Sequence, residues 1–157
     1  GAGGASRALI SVFCLMEKPP AGIRIYDIDT LKAEMLVNDL SARMDTGIVE
    51  VVQGIDDLNI EITDLLINAT PIGLKSTDPL LVEEDLLHGG MLVYDLVYNP
   101  KETLLLKTAR NRGARTANGL GMLFYQGVLA FEHWAGYELI PAVREQMRMS
   151  LELGEVI

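Results

Sequence analysis

The first eight residues, GAGGASRA, have the composition of a loop that binds phosphate through its backbone. In a nucleotide-binding βαβ unit, a glycine turn follows a buried strand, and its N–H groups meet the pyrophosphate at the start of the next helix. Ser6 stands where that pattern ends in Gly or Ala, and a flexible chain end or a tag remnant is an equal alternative for these residues alone. The candidate cofactor ligands here are Gly1, Ala2, Gly3, Gly4 and Ala5.

An acidic residue, Asp27, ends the next predicted strand, 26 positions after Gly1. A carboxylate at this place can accept hydrogen bonds from the hydroxyls of an adenosine ribose, and it would repel a 2′-phosphate. With its neighbours Ile28 and Asp29, it forms a candidate ribose site that favours NAD over NADP; the nearest base, Lys32, lies a turn into the next helix. The alternative is that Asp27 and Asp29 only cap that helix.

The stretch NATPIGL, residues 68–74, is typical of a strand end followed by a Pro-Gly turn. Asn68 and Thr70, on either side of Ala69, can supply polar contacts to a cofactor, and the residues from Pro71 to Leu74 can form an apolar wall. The alternative is ordinary turn chemistry without a ligand.

Two later stretches contain side chains suited to a substrate site. Tyr98 follows a strongly apolar strand and precedes Asn99-Pro100, so we expect its ring to lean into the cleft with a free hydroxyl, unless it packs under the loop. In NGLGMLFYQG, residues 118–127, Gly119 permits close backbone approach at a helix start. Gln126 lies two helical turns further on among apolar neighbours, so its amide needs a partner in the protein or a ligand.

Composition limits the class of protein. The 157 residues are 49% hydrophobic, which predicts one domain with one substantial core. No apolar run reaches the length of about 18 residues typical of a membrane span, and no secretory signal is visible. Single Cys14 fits a buried, inert thiol in a reducing compartment. We therefore expect a soluble, cytoplasmic protein without a membrane partner.

Charge and histidine content limit the partners. Thirteen basic residues against 22 acidic ones give a formal net charge of −9, which makes nucleic acid an unfavourable partner. A small anionic cofactor remains compatible, because a helix N-terminus binds it locally. His88 and His133 lie far apart without ligand spacing, so we predict no metal site. The oligomeric state stays open, with a homodimer as one alternative.

The elements that must position these residues alternate along the chain. We predict strands at 23–27, 48–52, 64–68, 91–98 and 114–117. Helices are predicted at 5–16, 30–44 with Thr30 as its cap, 82–87, 101–113 with Gly113 as its stop, 120–134 and 142–153. This alternation indicates an α/β fold with a Rossmann-like, doubly wound parallel sheet.

In such a sheet the strand before the glycine turn lies in the middle, between the strands predicted at 23–27 and 64–68. Without it, two strand edges and several apolar side chains would be exposed. We therefore expect that the first strand is missing from this chain and that the parent polypeptide continues upstream of Gly1. Residues 1–157 would then be a partial dinucleotide-binding domain.

The four stretches, in this order and spacing, resemble the C-terminal NAD(P)-binding domain of the shikimate/quinate dehydrogenase family. The resemblance runs from Gly1 to about Gly136. It departs from the family pattern at Leu74, usually Met, and at Leu104, usually Pro. Members that use NADP typically have Asn-Arg-Thr where this chain has residues 27–29, so Ile28 replaces their phosphate-binding Arg.

The resemblance implies roles for residues that the chemistry alone leaves open. It implies Leu96 near the nicotinamide, Gly119 facing the nicotinamide amide, and Met122 packed on the ring. It also implies Tyr98 against the substrate and Gln126 bound to a substrate hydroxyl or carboxylate. The family's proton-transferring Lys and Asp belong to its N-terminal substrate domain, so we expect no catalytic residue in this chain and no turnover by it alone.

The predicted function of the full-length protein is reversible hydride transfer between a nicotinamide cofactor and a small hydroxylated ring carboxylate, such as shikimate or quinate or their 3-dehydro forms. One alternative is another two-domain Rossmann dehydrogenase, related to methylene-tetrahydrofolate dehydrogenase. A second alternative is a non-catalytic module that senses NAD.

Overall fold

The computed structural model describes residues 1–153, where helices and strands alternate as predicted. The strands are β1 (Ile23–Ile25), β2 (Val49–Val51), β3 (Leu65–Asn68), β4 (Leu92–Asp95) and β5 (Arg115–Asn118). The α-helices are α1 (Gly4–Leu15), α2 (Thr30–Ser41), α3 (Leu104–Asn111), α4 (Leu120–Ala135) and α5 (Pro141–Leu153). Short 3-10 turns are found at Asp56–Leu58, Ile60–Ile62 and Glu84–Leu86, and the last of these replaces the helix predicted at 82–87. The last four residues of the predicted domain lie outside the described residues.

All strand pairs are parallel, but they form two separate sheets. β1 pairs with β2, and β3, β4 and β5 pair in that order. β1 and β3 are not hydrogen-bonded to each other; between them runs a groove of about 590 Å³, lined by residues that include Gly1, Ile23, Ile25, Leu65 and Ile67. The prediction of an α/β fold with a parallel sheet is therefore confirmed, with an opening at the position expected for a further strand.

The buried apolar residues form two clusters, where composition predicted one core. One cluster packs α1 and α2 on the first sheet and includes Ile10, Ile25 and Leu36. The other packs α3 on the second sheet and includes Val93 and Leu105. Because the groove separates the two sheets, each sheet packs against its own helices.

Several predicted caps and boundaries are wrong, because side-chain hydrogen bonds cap the helices or end a strand at other residues than expected. The cap of α2 is Asp29, not Thr30: its carboxylate accepts the Lys32 N–H. The strand predicted at 91–98 ends at Asp95, whose carboxylate accepts the Val97 N–H and turns the chain. The helix predicted at 101–113 begins only after Thr103, its N-cap.

The burial of Cys14 and the length and apolar content of the helices bear on two expectations from composition. The Cys14 side chain is only partly buried, not fully as predicted, and burial together with nearby Asp45 raises the pKa of its thiol. Within residues 1–153, no helix has the length and apolar content needed to cross a membrane.

Candidate functional site

The glycine turn leads directly into α1, as a phosphate-binding loop does. Gly3 is the N-cap of this 12-residue helix, and no side chain caps its first turn. The free N–H groups and the helix dipole together favour an anion at this end. Ser6, which departs from the glycine pattern, is buried and donates its hydroxyl to the Gly1 carbonyl oxygen at 2.5 Å. The serine therefore closes the turn internally.

Asp27 is bonded to this turn. Its Oδ2 accepts the Ala2 N–H at 2.6 Å, and its Oδ1 accepts the Asp29 N–H at 3.0 Å. Burial alone raises the pKa of the carboxyl group, but these two N–H donors and Lys32, whose Nζ lies 3.6 Å from Oδ2, outweigh it, so the pKa is lowered. Asp29 is therefore the cap of α2, whereas Asp27 is an ionised group beside the glycine turn. The Ile28 side chain is 93% exposed.

The glycine turn also touches the loop after β3. A Cβ added to Gly1 would lie 2.7 Å from the Ala69 carbonyl oxygen and 3.1 Å from the Thr70 Cγ2, so a side chain would separate the two segments. Asn68 shapes this loop: its Oδ1 accepts the N–H and the hydroxyl of Thr70, at 2.9 and 2.7 Å. Pro71 is exposed on the same loop.

The loop after β4 and the start of α4 are in similarly close contact. A Cβ added to Gly119 would lie 1.9 Å from the Leu96 carbonyl oxygen, and the Gly119 N–H donates to the Val97 carbonyl at 3.2 Å. Gly119 is therefore required by the approach of two backbones, whatever its role toward a ligand.

One chain of contacts joins the four predicted stretches. Ala2 binds Asp27, Gly1 packs on Ala69, and the Asn68 amide donates to the Asp95 carboxylate at 2.9 Å. Leu96 and Gly119 complete the chain. Asn68 and Asp95 end parallel strands, and Asp27, Ala69, Leu96 and Gly119 follow strand ends, which is the edge where open α/β sheets bind ligands.

The candidate substrate residues lie nearby on separate elements. The Tyr98 side chain is 43% exposed, so it is not packed under its loop. Met122 and Gln126 line a shallow depression of about 500 Å³ together with Leu9 and Tyr94. Gln126 is exposed, so the expectation that its amide needs a partner inside an apolar environment is wrong. No hydrogen bond in the described part of the chain links Tyr98 to Gln126.

Three polar residues, Asn68, Asp95 and Asn118, stand side by side in register at the ends of β3, β4 and β5. We call them the polar row. Each accepts the backbone N–H two residues further on, at 2.9, 3.0 and 3.1 Å. Asn68 is among the site residues predicted from the sequence, whereas Asp95 and Asn118 are not. An Asp in the middle of the apolar run MLVYDLVY was the available signal, because a buried carboxylate requires partners.

Comparison with curated proteins finds relatives that share one name. The chain is 43% identical over 152 residues to the shikimate dehydrogenase (NADP(+)) of Nitrobacter winogradskyi, covering 97% of this chain and 52% of that enzyme. It is 41% identical over 143 residues to the enzyme of the same name from Methanocaldococcus jannaschii, covering 88% and 49%. No family model matches the chain. The chain spans about half the length of the curated relatives it matches.

Solved structures agree with these sequence matches. A shikimate dehydrogenase in complex with NADP+ superposes with a TM-score of 0.78 at 35% identity, over 100% of this chain and 53% of that one. Quinate dehydrogenase from Corynebacterium glutamicum in complex with NAD gives 0.79 at 32% identity, over 98% and 53%. The predicted resemblance is thereby confirmed: in sequence and in fold, this chain corresponds to the NAD(P)-binding domain of the shikimate/quinate dehydrogenase family.

Proposed function

We propose that this chain is the cofactor-binding part of an oxidoreductase that interconverts 3-dehydroshikimate and shikimate, or 3-dehydroquinate and quinate. The observation that supports this most is the convergence of four separate sequence stretches at one edge of the sheet, through the contacts from Asp27 to Gly119. The match to about half the length of enzymes named for this reaction supports the same proposal.

In this proposal, different residues bind different parts of the cofactor. The uncapped start of α1 receives the pyrophosphate, and Asp27 receives the ribose of the adenosine. Residues 68–71 and Leu96 flank the remaining part of the cofactor, while Gly119 and Met122 contact the nicotinamide. When bound, the nicotinamide supplies or accepts the hydride. Tyr98 and Gln126, both exposed beside this edge, orient the small-molecule substrate.

Within this proposal the cofactor is NAD in preference to NADP. The Asp27 carboxylate can accept hydrogen bonds from a ribose diol, and a 2′-phosphate would meet its charge with Ile28 in place of an arginine. The curated relatives are named for NADP(+), and the solved structures include complexes with either cofactor. Lys32, 3.6 Å from Asp27, offsets part of the repulsion. The preference is therefore a property of residues 27–32 of this chain.

The proton that accompanies the hydride is moved by residues outside this chain in the proposal. The side chains at the proposed substrate edge are a phenol and an amide, and neither is a base near neutral pH. The catalytic pair belongs to a further substrate domain, and residues 1–157 form the cofactor domain beside it.

The test is an assay of the full-length protein for shikimate- or quinate-dependent reduction of NAD and NADP, with residues 1–157 assayed alone beside it. We expect turnover by the full-length protein and none by the shorter one, because the proton-transferring groups are missing. Turnover by residues 1–157, free of contaminating enzyme, would show that the catalytic residues have been misplaced. Nucleotide binding without turnover by the full-length protein would contradict the proposed reaction.

A further inference from the structure

Asp95 is the most deeply enclosed polar residue near the candidate site, with a side chain that is 0% exposed. Its Oδ1 accepts hydrogen bonds from the Asn68 amide at 2.9 Å and from the Val97 N–H at 3.0 Å. Its Oδ2 accepts the Thr103 hydroxyl at 2.6 Å. Among residues 1–153, no Lys, Arg or His side chain forms an ion pair with it. Three donors from three segments therefore satisfy this carboxylate.

The first of these donors controls the loop after β3. Asn68 gives its second N–H to the Ile72 carbonyl at 2.9 Å, while its Oδ1 holds the Thr70 N–H and hydroxyl. The Thr70 hydroxyl in turn accepts the Ile72 N–H at 3.2 Å. The path of residues 69–73 is thus determined by the orientation of the Asn68 amide, and Asp95 accepts from that amide.

The other two donors control the loop after β4. The Val97 bond sets the first turn of this loop, and Thr103 stands at its far end, where its Oγ1 also accepts the Leu106 N–H as the cap of α3. The two loops meet at Gly73, whose φ of +108° favours glycine and where an added Cβ would lie 3.2 Å from the Thr103 Cγ2. Asp95 thus stands at the junction of both loops.

Burying a carboxylate is costly, and a strand can end on a neutral residue, as β3 and β5 do at Asn68 and Asn118. Asparagine has one side-chain acceptor oxygen, whereas the carboxylate has two, and Asp95 uses both. We propose that Asp95 is a positioning residue that joins the loop 68–73 and the loop 96–103 into one unit. The consequence, which rests on the proposed function, is that the cofactor contacts at Thr70 and the nicotinamide contact at Leu96 keep fixed positions relative to each other.

The test compares variants of the full-length protein by hydrogen exchange without cofactor and by steady-state kinetics. Asp95→Asn keeps the shape of the side chain and the cap of α3 but removes one acceptor. Thr103→Val removes the third donor, and Thr103→Ser restores it. Thr108→Val is the matched control, because Thr108 is a buried threonine on the same helix outside the network.

We expect Asp95→Asn and Thr103→Val to speed exchange of the Thr70, Ile72 and Val97 amides by at least about tenfold, since a lost hydrogen bond to a charged group is worth that factor or more. In assays at temperatures below the melting temperature, both variants should raise the KM for cofactor and lower kcat. Thr103→Ser and Thr108→Val should stay near wild type.

Faster exchange in one loop only, or in neither, would overturn the coupling. A fall in melting temperature with unchanged exchange and unchanged kinetics would assign these residues to stability alone. If Asp95→Asn does not fold, the Thr103→Val and Thr103→Ser pair decides the question. The exchange measurement needs no ligand, so it gives its answer even if the full-length protein lacks the proposed activity.

Discussion

The two sheets of this domain differ in how deeply they bury the polar side chains at the ends of their strands. In the first, β1 leads to Asp27, which is half-buried, and to Ile28 and Asp29, which are exposed. The Asp27 carboxylate accepts one N–H from nearby Asp29 and one from Ala2, 25 residues away. In the second, Asn68 and Asp95 of the polar row are buried, Asp95 completely, and Asn118 is half-buried. Both regions therefore use hydrogen bonds between distant segments, and they differ in solvent access: the proposed cofactor contacts lie where a ligand can reach them, whereas the bonds that fix the loops are buried.

The sheets also differ in how they are completed. β4 lies between two partners, whereas β1 and β3 each have one edge on the groove. An unpaired parallel strand edge leaves backbone groups without partners and apolar side chains without cover. The predictions below test whether the sheets become one, whether the first sheet selects the cofactor, and whether the end of the second sheet faces the substrate.

The largest effect is expected from filling the groove. We predict that about five apolar, β-branched residues directly before Gly1 in the parent protein form a parallel strand between β1 and β3. Two or three inward side chains, each contributing about 1.5–3 kcal/mol on burial, add an amount comparable with the whole stability of a domain. Urea unfolding of residues 1–157 with and without this segment measures the difference.

A Gly-Ser extension of equal length is the control, because it lengthens the chain without apolar side chains. It should leave the urea midpoint nearly unchanged. Equal stability with either extension, or a structure of the longer protein in which β1 and β3 pair directly, would contradict the prediction.

The second prediction concerns cofactor choice by the first sheet. The full-length enzyme should prefer NAD over NADP by at least about tenfold in kcat/KM, which requires about 1.4 kcal/mol. The double variant Asp27→Asn, Ile28→Arg should reverse the order, because it removes the repelling charge and adds a phosphate ligand. Comparing kcat/KM for both cofactors in both proteins tests this, and a wild-type preference for NADP would remove Asp27 as the ribose ligand.

The pH dependence of this preference follows from the lowered pKa of Asp27. The carboxyl group is ionised above its usual value of about 4 and loses its charge only as the pH falls through the lower folded-state pKa. The ratio of NAD to NADP affinity should therefore be constant from about pH 8 to pH 5 once the titration of the 2′-phosphate itself, with a pKa of about 6, is subtracted. Titrations of the Asp27→Asn variant with NADP over the same range provide that correction.

The smallest effect is expected at the end of the second sheet. Tyr98→Phe and Gln126→Ala, in the full-length enzyme, should each lower kcat/KM for shikimate or quinate by about two- to tenfold, the worth of one exposed or partly exposed hydrogen bond. The KM for NAD should change little. Tyr137→Phe is the matched control, because Tyr137 is an exposed tyrosine just after α4 that does not line the depression with Gln126. Equal losses for cofactor and substrate would assign both residues to the cofactor pocket or the fold.

The sequence by itself determined the order of elements, the parallel sheet, the opening beside β1 and the four stretches at its ligand edge. It could do so because these depend on short-range patterns: apolar runs of strand length, glycines at turns, and polar residues where strands end. The homology of these stretches to shikimate and quinate dehydrogenases followed from their spacing, which is also a property of the sequence.

Only the tertiary structure decided which side chains are buried and what they bond. It ended the strongest strand at Asp95 instead of Tyr98, exposed Gln126, and gave the capping role to Asp29 while Asp27 bonded the glycine turn. The bonds of the two aspartates Asp95 and Asp27 include partners many positions away in the chain: Asn68 is 27 residues from Asp95, and Ala2 is 25 residues from Asp27. Hydrogen-bond partners at such separations are set by how the strands pair and how the helices pack, and no local pattern of residue types contains that information.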